Sequence, residues 1–141
     1  MLSNKLLILV LVVIAFCSGC QSKLQTEDFE HFRVSILYVQ ASFTEEEQYL
    51  SAARHTTTVP KAVFQSIRDL RRLALKEANK IDPKALARLD SNMPMHFQKQ
   101  YVKGLQQWNE GITTEDFALA NRGLLLLNEW GEYYIRVLES T

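Results

Sequence analysis

Residues 26–55, TEDFEHFRVSILYVQASFTEEEQYLSAARH, decide the fold class. Phe29, Phe32, Ile36, Val39, Phe43, Leu50 and Ala53 recur at alternating steps of three and four, with Glu46 the one interruption. Side chains at that spacing share one face of an α-helix and turn it toward a core. Thr26 stands where an N-cap belongs, and Glu27, Asp28 and Glu30 favour the positive end of the helix that follows. Thr44 and Glu47 have capping-box spacing, so the helix is expected to reach about His55 either unbroken or restarting near Thr44.

Outward from this stretch the same period continues. After the β-branched connector Thr56-Thr57-Thr58, a second helix opens at Val59-Pro60 and runs to about Lys80. Val63, Ile67, Leu70, Ala74, Ala78 and Ile81 form its inward stripe. Arg68, Arg72, Lys76 and Lys80 are each four apart and form another face, joined by Arg71. Asp82-Pro83 is a cap followed by proline at the first helical position, which predicts a short turn over Lys84 to Leu89. A third main helix is expected from Met95 to Asn109, with Phe97, Tyr101, Leu105 and Trp108 inward and Gly111 at its C′ position. With Thr113 as N-cap, Ile112 and Phe117 make a hydrophobic staple for a last helix from Thr114 to about Leu138.

That last helix carries two apolar stripes. One is Phe117, Ala120, Leu124, Leu127, Tyr134 and Leu138; the other is Leu119, Leu126, Trp130, Tyr133 and Val137. A helix packed on one side needs an apolar face of only a little over ~100°. Either neighbours surround this helix, or its Trp130-Tyr133-Val137 flank is exposed for a partner. Gly104 and Gly123 fall at matching heights in an antiparallel hairpin, where two backbones can approach closely. The expected fold is an all-α, up-down bundle of four main helices, or five if the first breaks, with one extra short turn. Its core is read as Phe29, Phe32, Phe64, Phe97, Tyr101, Trp108, Phe117 and Leu124.

The first twenty residues are of a different kind. Behind Lys5, an apolar run from Leu6 to Cys17 leads into Ser18-Gly19-Cys20. A membrane-spanning helix needs about 20 apolar residues; a secretory core needs roughly 7–15, after a basic start and before small residues. Cys17-Ser18-Gly19-Cys20 is formally a C-x-x-C, but a redox pair belongs beside a strand–helix unit. The stretch resembles the lipobox of bacterial lipoproteins, with Ser18 and Gly19 at the small positions before the cysteine. Cys17 stands where that family usually has an aliphatic residue. The resemblance covers residues 1–20 only. It implies a cleaved signal peptide over 1–19, lipidation of Cys20 (a diacylglyceryl group on the thiol and commonly an acyl chain such as palmitate on the new amino terminus), a tether over 20–25 and a single folded domain over 26–141. It also implies an envelope location. With Gln21 rather than Asp after the cysteine, the outer membrane facing the periplasm is expected in a diderm cell, otherwise the outer face of the cytoplasmic membrane.

Cys17 and Cys20 are the only cysteines in the 141 residues, so the domain beyond them has no disulfide and stands on packing. The sixteen basic and sixteen acidic residues balance, which predicts no nucleic-acid affinity. Their distribution does not balance: acids dominate from Glu27 to Glu47, and bases from Lys61 to Arg88.

Catalytic signatures are missing. There is no G-x-S-x-G, H-E-x-x-H, phosphate loop or haem motif, and the expectation is a protein that is not an enzyme. The leading expectation is a non-catalytic, membrane-tethered helical module that docks another envelope protein, as an assembly or targeting accessory or an inhibitor. The candidate surfaces are Arg68, Arg72, Lys76 and Lys80, and the aromatic pair Trp130 and Tyr133. The alternative is an extracytoplasmic small-ligand or copper module, since Met93, Met95 and His96 put two thioethers and an imidazole within four residues. No cofactor is expected beyond the lipid on Cys20.

Overall fold

A computed structural model describes residues 26–52 and 61–140 of the chain. The leader, Cys20, the tether, His55 and Val59-Pro60 lie outside the described residues. Six α-helices are present among them: α1 (Thr26–Ala52), α2 (Lys61–Ala78), α3 (Pro83–Leu86), α4 (Met93–His96), α5 (Lys103–Thr113) and α6 (Phe117–Glu139), with a π-helical segment, Phe97–Val102, between α4 and α5. Residues 93–113 run without a break, so four long helical rods and the one-turn α3 make the bundle. No strand occurs among the described residues. The all-α bundle expected from the periodicity is the fold observed.

Neighbouring rods are antiparallel. His31 of α1 meets Glu77 of α2, and one turn further along α1 Ser35 meets Ala74, one turn back along α2. The centre is aromatic. The Phe32 ring lies between 5.7 and 6.1 Å from those of Phe97, Tyr101, Trp130 and Tyr134. Phe29, Ile36, Val39, Leu105 and Trp108 extend this core along the bundle axis.

α1 does not restart at Thr44. The Thr44 hydroxyl donates to the Gln40 carbonyl one turn back (3.0 Å), so it joins the helix it was expected to interrupt. α3 begins as its sequence predicts, with the Asp82 carboxylate accepting from the Lys84 amide at 2.9 Å.

The start of α6 differs from expectation. The Thr113 and Thr114 hydroxyls donate to the Asn109 and Glu110 carbonyls, carrying the third rod through Thr113. The turn comes at Glu115, whose φ is 58°, and Asp116 is the N-cap, accepting from the Leu119 amide at 2.9 Å. Phe117 therefore opens α6 and is 64% exposed, so neither the staple nor its place in the core is realised. Phe64, also expected inside, is 43% exposed because it lies near the start of α2, at the edge of the bundle.

Gly111 is no helix terminus. It lies inside α5, where an added Cβ would sit 2.3 Å from the Ala120 amide nitrogen. Gly104 and Gly123 do meet across the hairpin: a Cβ on Gly123 would fall 2.4 Å from the Trp108 nitrogen and 2.6 Å from the Gly104 carbonyl oxygen. Three glycines thus set the spacing of α5 and α6.

Candidate interaction surface

At 3.6 residues per turn, side chains four apart on α2 stay near one line along the helix. Arg68, Arg72 and Lys76 are exposed on that line, and Lys80 continues it in the turn after α2. Arg72 makes a 3.4 Å ion pair with Asp69, and Lys80 a 2.6 Å pair with Glu77. Arg68 and Lys76 have no ion pair among the described residues.

Arg71 does not join this face. It is 1% exposed, with its guanidinium carbon 3.2 Å from the centre of the Trp108 ring and Nη2 donating to Glu46 at 2.8 Å. Burial pulls its pKa down to about 9, against the opposing pull of Glu46. Glu46, the one acid on the inward stripe of α1, is there to meet it. Phe43 stacks on the same indole at 4.7 Å.

The aromatic flank of α6 is corrected outright at Trp130, which is 3% exposed and packed against Phe32, Phe97, Tyr101 and Tyr134. The helix needs both apolar stripes because it packs against α5, the π segment and α1 together. Tyr133 is half-buried and already engaged: its hydroxyl donates to Asp90 at 2.6 Å, and its ring stacks on His96 at 3.8 Å. Burial raises the Tyr133 pKa and the Asp90 carboxylate raises it further; in return the Tyr133 hydroxyl, then the Asn92 amide, hold Asp90 below its ordinary value. This pair fastens the loop before α4 to α6.

The thioether–imidazole set does not converge either. Met93 is fully buried in the core, Met95 is exposed, and His96 is turned to Gln100 (3.0 Å) and the Tyr133 ring. Successive helical positions two apart point in different directions, which separates the two sulfurs. Among the described residues no group of three His, Cys, Asp or Glu side chains is placed to hold a metal ion, and no helix is long and apolar enough to cross a membrane.

One feature escaped the sequence reading. Lys61, Phe64, Gln65 and Arg68 of α2 face Ile112 and Thr113 at the end of α5 across an open cleft of about 130 Å³. Phe64 has core spacing, and nothing in its neighbours along the chain signals that the bundle ends beside it. Comparison with family models, with curated proteins and with solved structures gives no match to this chain.

Proposed function

We propose that this chain is a non-catalytic envelope lipoprotein, held at a membrane through lipid on Cys20, whose helical bundle docks another envelope protein by the outer face of α2. The observation that carries the docking is the row of Arg68, Arg72, Lys76 and Lys80, all exposed, with Arg68 and Lys76 free of intramolecular carboxylates among the described residues. Arg68 and Lys76 flank Arg72 at four-residue steps on the helix, where like charges repel one another, and a complementary acidic surface relieves that repulsion. The tether rests on the Ser18-Gly19-Cys20 pattern behind an apolar run. Two acyl chains hold a protein at a membrane stably, so the α2 face is not needed for membrane attachment. Trp130, Met93 and the buried Arg71 serve the fold and take no part.

Two measurements test the reading. Fatty-acid labelling in cells is expected for the wild type and not for Cys20→Ala; equal labelling overturns the anchor. Isolation of the lipidated protein from native membranes is expected to bring a partner protein that is lost from the Arg68→Glu/Lys76→Glu variant. Retention of the same partner by that variant rules out the α2 face.

A further inference from the structure

The cleft beside Phe64 and the cationic row on α2 are one continuous surface. Arg68 belongs to both: it lines the cleft and is the first residue of the row. From Arg68 to Lys76 the row extends about 12 Å along the helix at 1.5 Å per residue, and Lys80 continues it in the turn that follows. The cleft, about 130 Å³, has an aromatic wall in Phe64, an aliphatic one in Ile112, and cations at its rim in Lys61 and Arg68. A small-molecule pocket is typically ~300–1,000 Å³, so this space is too small to enclose a metabolite. It is close to the ~150 Å³ that takes one benzene ring, which is the size of a single anchoring side chain.

We infer that this surface receives an acidic segment of a partner protein, with one Leu- or Phe-sized side chain in the cleft and carboxylates at three- or four-residue steps against Arg68, Arg72, Lys76 and Lys80. The inference rests on the docking function proposed above and specifies the partner's chemistry. Charge decides the sign: with Arg71 buried on Trp108 and paired with Glu46, the exposed side of α2 and its following turn carries five basic residues, Lys61, Arg68, Arg72, Lys76 and Lys80, against Asp69 and Glu77, which are already held by Arg72 and Lys80. Shape decides the class of partner. A lipid surface is met by apolar side chains that project into it, whereas Phe64 forms the wall of a concavity and receives an apolar group. The geometry is that of an amphipathic segment laid in a groove, read through an anchor and its flanking charges.

The test uses the full-length, lipid-modified chain in its native membrane. A photo-crosslinking amino acid replaces Phe64, and in a second strain it replaces Leu125, which is exposed on α6. The expected result is a protein adduct at position 64 whose crosslinked peptide has an apolar residue flanked by Asp or Glu. Its yield should fall about tenfold or more in the Arg68→Glu/Lys76→Glu background and remain unchanged with Glu129→Lys on α6. Thermal unfolding of the charge-reversed chain checks its fold; should it fail to fold, the same loss is read for the unaltered row in about 0.5 M salt, which screens charges beyond a few ångströms. A lipid adduct, an adduct with a second copy of this chain, a captured peptide without carboxylates, or a yield indifferent to charge and salt would each overturn the inference. A protein adduct at 125 with none at 64 rejects this surface and the α2 face of the proposed function, leaving only docking of a partner by another face of the bundle; none at either position counts against docking altogether.

Discussion

Arg71 and Glu46 show what a single residue does in this bundle. The guanidinium is fully buried on the Trp108 face with one carboxylate for company, while Glu46 is about one-third exposed. Removing the carboxylate strands a buried cation, which typically costs ~3–5 kcal/mol, whereas replacing both partners with apolar residues is often neutral. Glu46→Ala is therefore expected to destabilise by about 3 kcal/mol in urea unfolding, and Glu46→Leu/Arg71→Met by clearly less. A double variant worse than the single would mean that the stacking on Trp108, not charge compensation, holds Arg71. Ser35 poses a similar question. Its hydroxyl donates to the Ala74 carbonyl at 2.7 Å, so its one proton is spent and the Tyr101 hydroxyl, 2.8 Å away, must donate to it. Ser35→Ala leaves that buried donor unsatisfied, at about 1–3 kcal/mol, whereas Tyr101→Phe removes the donor itself and is expected to cost less. Equal costs would contradict this direction of donation. Both sites were half-legible in the sequence. An acid on an apolar stripe calls for a buried cation, but hydropathy alone assigns every arginine of α2 to the surface.

At the scale of elements, the α5–α6 hairpin is governed by what its glycines lack. A Cβ at Gly123 or Gly111 would lie 2.3–2.9 Å from backbone atoms of the facing helix, and neither backbone can yield without parting the pair. At Gly104 the nearest atoms, the Gly123 carbonyl oxygen and the flexible Leu127 side chain, are 3.0 Å away. Alanine gains up to ~1 kcal/mol of helix propensity over glycine, which partly offsets the milder clash. Thermal melts are expected to rank Gly123→Ala and Gly111→Ala as strongly destabilising, by about 2 kcal/mol or more, and Gly104→Ala as mild. An indifferent Gly123→Ala would mean that the helices stand further apart. The Gly104–Gly123 approach was legible because helix register alone brings the two together. The true start of α6 was not. Thr113 and Asp116 both have capping side chains, and the choice fell to Asp116 once the two threonine hydroxyls bonded back to α5. The π segment left no periodic signature, since Phe97 and Tyr101 are four apart in either geometry and still stack at 5.3 Å.

For the whole molecule, periodicity and short connections were enough to specify four antiparallel rods, because each local stripe agrees with the global packing. They could not say which polar groups would tie the rods together, since that depends on residues tens of positions apart. Two such ties are carboxylates. Glu77 bridges to His31 of α1, and Lys80 lowers its pKa most, with His31 adding to the effect against the cost of burial. Asp90 ties the loop before α4 to Tyr133 and is likewise depressed. A carboxylate whose folded pKa lies below its unfolded value binds fewer protons when folded, so stability rises with pH across that interval. Their contribution is complete above the ordinary carboxylate range, about pH 4–5, and is lost as pH falls through the folded values. Unfolding midpoints in urea should therefore decline from about pH 5 downward. Glu77→Gln should lower stability at pH 7 and flatten that decline, bringing variant and wild type together near pH 2–3. If the two curves stay parallel throughout, the His31–Glu77–Lys80 bridge does not hold α1 to α2, and apolar packing alone sets the pairing of the first two rods.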